Sequence, residues 1–81
     1  MPYITKQRRC EIDSGHGPAT KGELTYKLYT IALLYMQIQG PASYHSISEA
    51  ISSLTDAAHE LRRRVLDPYE DTKILEHGDI L

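Results

Sequence analysis

Arg62-Arg63-Arg64 is the densest run of charge in this 81-residue sequence. Guanidinium groups in a row suit forked, bidentate recognition of phosphate or carboxylate. On a helix the three side chains diverge: Arg64 flanks Leu61 and Val65, while Arg62 and Arg63 face outward. If self-association brings Arg63 or Arg64 near Lys6, Arg8 or Arg9, an anion site results, and Tyr69 or Tyr3 would pack a flat base beside it. The competing use is structural. Cations in a last helical turn complement the helix dipole, and Glu60, Glu70 and Asp71 stand close enough in sequence to pair with them.

The remaining chemistry-bearing residues point away from catalysis. All aromatic residues are tyrosine, at positions 3, 26, 29, 35, 44 and 69. Such rings pack at half-buried sites while their hydroxyls seek polar partners, which serves interfaces and pockets alike. His45 and Glu49 stand four apart at a helix start, but spacing fixes no third metal ligand, and His59-Glu60-Leu61-Arg62-Arg63 lacks the second histidine of a metalloprotease helix. Neither a metal nor a cofactor is expected. No serine stands in a nucleophile elbow, no glycine-rich phosphate loop follows a strand, and Cys10 has no activating partner in sequence. The expectation is a protein that is not an enzyme.

The elements that must position these residues are helical, and the expected fold class is all-α. Thr20-Lys21-Gly22-Glu23 has capping-box spacing, so a helix is expected from about 20 to 39, ended by Gly40-Pro41. Ser46-Ile47-Ser48-Glu49 repeats that spacing and opens a second helix over about 46–66, completing a helical hairpin. Asp67-Pro68-Tyr69-Glu70 then supplies a cap, an early proline and a glutamate, which predicts a short carboxyl-terminal helix over about 68–77, closed by Gly78. The first 19 residues divide into an arm and a loop at Asp13-Ser14-Gly15-His16-Gly17-Pro18, and the arm's pattern fits a short helix and an extended strand of chain equally. The whole, 1–81, reads as a single helical domain: arm and loop over 1–19, hairpin over 20–66, short helix and tail over 67–81.

The two long helices differ. In the second, Ile47, Ala50, Ile51, Leu54, Ala57, Ala58, Leu61 and Val65 form one apolar stripe. The first carries one seam at Leu24, Leu28, Ile31, Tyr35 and Ile38 and another at Tyr26, Tyr29, Leu33 and Met36, and residues 24 and 26 point about 200° apart. One partner helix covers only one seam. Tyr26, Tyr29, Leu33 and Met36 are therefore the expected oligomer interface, with wrapping by the arm and third helix as the monomeric alternative. Size favours association, because a chain this short builds a small core and one cysteine cannot make an intrachain disulfide.

Net charge and hydropathy set outer bounds. Nine Lys and Arg against eleven Asp and Glu give a formal charge of −2, without the basic excess that drives non-specific nucleic-acid binding. No apolar stretch approaches the roughly 20 residues needed to cross a bilayer, and Met1-Pro2-Tyr3-Ile4-Thr5-Lys6 has no signal-like apolar core. A cytoplasmic location is expected, with no membrane partner.

Met1-Pro2-Tyr3-Ile4-Thr5-Lys6, Gly22-Glu23-Leu24-Thr25-Tyr26 and Arg63-Arg64-Val65 through Pro68-Tyr69-Glu70-Asp71, Lys73 and Gly78-Asp79 form a pattern spanning nearly the whole chain. It resembles a family of small uncharacterised phage and bacterial proteins, in which asparagine is expected where Thr25 and His77 stand here. The resemblance implies a phage or prophage setting, with the host cytoplasm as compartment, and brings no activity. The expected function is a homo-oligomer that binds and sequesters an anionic, nucleotide-like ligand at subunit boundaries. The alternative is an interaction module whose second seam docks on a host or phage protein.

Overall fold

The computed structural model describes residues 4–78, and every regular element among them is helical. In chain order these are α1 (Lys6–Asp13), α2 (Lys21–Gln39), α3 (Tyr44–Leu61), a π-helical turn (Arg62–Leu66) and α4 (Asp67–His77). The chain divides into two compact units, Met1–Ile51 and Ser52–Leu81.

In the first unit the amino-terminal arm is a helix. Thr5 caps α1, its hydroxyl accepting the Arg8 N–H at 3.1 Å, and Gln7 donates to Glu11 one turn on at 3.1 Å. Gly15, with φ of +109°, turns the chain out of α1. The helix packs on α2 and seats Ile12, which among the described residues is the large side chain with no exposed surface.

The start of α2 follows the expected cap, with a variation. Thr20 accepts the Glu23 N–H at 3.2 Å, but the Glu23 carboxylate accepts the Ala19 N–H at 2.9 Å instead of closing on Thr20 itself. Gly40, with φ of +115°, ends the helix at the expected place. The start of α3 differs. Ser43 is the cap, its hydroxyl accepting the Ser46 N–H at 3.1 Å while the Ser46 hydroxyl accepts the Ser43 N–H at 3.2 Å. The reciprocal box is thus Ser43-Tyr44-His45-Ser46, three residues before the expected one, because a serine serves at the third helical position where glutamate was anticipated.

The two seams of α2 are unequally covered. In the second seam Tyr26, Leu33 and Met36 are half-buried but Tyr29 is exposed, whereas in the first Leu24, Leu28, Ile31, Tyr35 and Ile38 are all exposed, as is Leu34 beside it. Near the turn, the Tyr35 hydroxyl donates to Glu49 at 3.1 Å, and Ser46 and Ala50 are buried one turn apart on α3.

The second unit is helical without interruption from Ser52 to His77. The expected break at Leu66 and the separate helix capped by Asp67 are not there. Leu66 and Asp67 both have right-handed helical backbone angles, and no side chain caps that position. The π-turn explains how the helix passes Pro68. A proline inside an α-helix lacks the N–H for the carbonyl four residues back and crowds that carbonyl. Here the Asp67 N–H instead reaches back five residues to the Arg62 carbonyl, and the widened turn accommodates the ring. Gly78, with φ of +82°, ends α4 where expected, its N–H donating to the Ile74 carbonyl at 2.8 Å.

Candidate functional site

The arginine cluster lies on the π-turn. Arg63 donates to Glu60 through Nε at 3.3 Å and Nη2 at 3.1 Å, and Arg64 donates through Nε to the same carboxylate at 2.7 Å. Two cations thus share one anion, and their hydrogen bonds, Arg63 first and Arg64 second, hold the Glu60 carboxyl below the ordinary carboxylate range. Arg62 makes no ion pair among the described residues. All three are exposed, as are Leu61 and Val65 beside them.

Tyr69 lies on α4 in the same unit. The residue is 58% exposed, and the Lys73 amino group sits 5.4 Å from the centroid of its ring. Lys73 also pairs with Glu76 at 3.2 Å. The candidate ligand residues Arg63, Arg64 and Tyr69 therefore occur on one continuous helical run. Tyr3, the other candidate for base packing, lies outside the described residues.

The amino-terminal cations are placed differently. Arg8 is committed to structure: its Nε donates to Glu23 at 3.1 Å, its Nη2 to the same carboxylate at 2.5 Å, and its Nη1 to Glu11. Those carboxylates raise the Arg8 pKa and are themselves lowered by it. Arg9 is exposed and makes no ion pair among the described residues.

Of the interface candidates, Tyr26 donates its hydroxyl to both oxygens of Asp13, at 3.0 and 2.9 Å, which fastens the end of α1 to α2. Leu33 and Met36 are half-buried and Tyr29 is 44% exposed. His45 lies 3.3 Å from the Glu49 oxygen that also accepts the Tyr35 hydroxyl, a triad in which only the His45/Glu49 spacing is visible in the sequence. Among the described residues, no three His, Cys, Asp or Glu side chains gather as metal ligands, and no helix is long and apolar enough to cross a membrane.

A family model for a domain of unknown function, DUF6899, matches residues 1–80. This chain belongs to that family. Membership in DUF6899 covers both units and carries no activity with it. No curated protein and no solved structure matches the chain. Within the DUF6899 domain, the π-turn with its three arginines offers positive charge to a partner, and α2 offers exposed apolar surface.

Proposed function

We propose that this chain is a non-enzymatic binding protein that self-associates and sequesters an anionic, nucleotide-like ligand at its subunit boundaries, with Arg63 and Arg64 on phosphate and Tyr69 against the base. The observation that carries the reading is the arginine triplet on a π-turn. Such turns recur at functional sites in long helices. Two of its guanidinium groups, those of Arg63 and Arg64, share the single carboxylate of Glu60, and Arg62 makes no ion pair among the described residues, which leaves excess positive charge. Exposed ion pairs contribute little to stability, so a phosphate readily displaces Glu60 from them. In the phage or bacterial setting suggested by the Pro-Tyr-Glu-Asp ending, the ligand class is a nucleotide signal of host defence, met in the host cytoplasm.

A second reading, docking on a host or phage protein, is favoured by the exposed apolar residues of α2. Native mass spectrometry followed by thermal shift with cyclic and linear nucleotides separates the two. A ligand that binds the native state raises its melting temperature. The first reading expects an oligomer and a shift that disappears in Arg63→Ala/Arg64→Ala. No shift with any nucleotide, in a protein that folds and associates, overturns it and leaves the docking reading.

A further inference from the structure

We infer that α2 packs against α2 of a second copy of this chain, antiparallel, about a two-fold axis at Ile31. The inference rests on the self-association proposed above and names its interface. Leu24, Leu28, Ile31, Leu34 and Ile38 are 48, 43, 53, 55 and 71% exposed, although each is large and apolar. Their offsets from Ile31 are −7, −3, 0, +3 and +7, a spacing that reads the same in both directions. At 3.6 residues per turn all five lie within about 60° of Ile31, on one face.

A two-fold interface requires a patch complementary to itself. Reversal about Ile31 sets Leu24 of one copy against Ile38 of the other, Leu28 against Leu34, and Ile31 against Ile31. Charge selects the same arrangement. From Leu28 to Gln39 the helix carries no charged residue, so the cation nearest the face is Lys27. The antiparallel pairing sets Lys27 opposite Tyr35, whose hydroxyl donates to Glu49 at 3.1 Å, so the ammonium group arrives beside a ring and a carboxylate. A parallel pairing in register would set Lys27 against Lys27. The five side chains with Tyr35 expose on the order of 600 Å², close to the roughly 800 Å² each partner contributes to a stable interface.

The test uses the full chain with Ile31→Glu and Ile31→Lys, followed by sedimentation velocity across concentration, with circular dichroism to check helicity. Each variant alone places like charges together on the axis and is expected to be dissociated at concentrations where the parent chain associates. An equimolar mixture is expected to associate again, since Glu then faces Lys. Variants that associate like the parent overturn this interface while leaving self-association standing. A parent chain that stays monomeric at every concentration overturns both. If a charged variant loses helicity, Ile31→Cys in a Cys10→Ser background decides. Mild oxidation is expected to cross-link it into a dimer while Leu24→Cys in the same background stays uncross-linked, and failure of Ile31→Cys to cross-link overturns the axis.

Discussion

Arg8 and Glu23, fifteen residues apart, form a two-pronged ion pair, Nε to Oε2 at 3.1 Å and Nη2 to Oε1 at 2.5 Å, that fastens α1 to the first turn of α2. The same Glu23 carboxylate accepts the Ala19 N–H at 2.9 Å, so one side chain both caps α2 and docks α1. Glu23 is 8% exposed, which makes this pair better shielded from solvent than the other ion pairs among the described residues.

Acid should release α1. The hydrogen bond from Arg8 holds Glu23 below its ordinary value of 4.5, and Arg8 does the same for Glu11. Between the unfolded and folded values the unfolded chain binds more protons, so this contribution is complete above about pH 4.5 and falls as pH drops through the lowered values. Circular dichroism and hydrogen exchange at α1 should show loss of protection below that pH. Glu23→Gln should be less stable at neutral pH and should show a smaller further loss in acid. An acid limb identical to the parent's would count against the pair.

Ile12→Ala should destabilise the first unit by about 2–4 kcal/mol, since it empties a fully covered site, and urea unfolding would measure the loss. The same substitution at exposed Ile38 should leave stability within about 0.5 kcal/mol in the dissociated chain.

Ser43→Ala should cost about 1 kcal/mol in thermal unfolding, as expected for loss of an N-cap. Had α3 begun with Ser46 as its cap, Ser43 would lie outside the helix and its replacement would be silent.

Asp67→Ala should change stability by less than about 0.5 kcal/mol, because Asp67 is inside a continuous helix and caps nothing. Pro68→Ala restores an N–H and relieves the crowding that accompanies the π-turn, so helicity by circular dichroism should hold or rise. A fall in either variant would indicate a helix start at residue 67.

Glu60→Gln should free Arg63 and Arg64 and strengthen binding of nucleotide probes severalfold in calorimetry, if the arginines serve an anion. Unchanged or weaker binding would assign the three side chains to helix stability alone.

Much of the local structure was legible in the sequence. The α2 boundaries, the stops at Gly40 and Gly78 and the all-helical class follow from caps, glycine conformation and apolar period, which act over a few residues. The π-turn was not legible, because Asp67-Pro68 is an equally good helix start and the choice depends on whether the preceding turn widens. The Glu60 pairing of Arg63 and Arg64 was visible as one alternative in the spacing, and the structure adopts it.

What the sequence determined by itself is a helical chain whose α2 has more apolar surface than one partner helix can cover. What tertiary structure decided is which face is left over. Docking of α1 through Ile12, Arg8–Glu23 and Tyr26–Asp13 covers the first turns of α2 on the side of Tyr26, and the face around Ile31 remains exposed. Sequence periodicity gives the width of an apolar surface, but the order in which its faces are covered depends on contacts between residues far apart in the chain, and those form only when the helices meet.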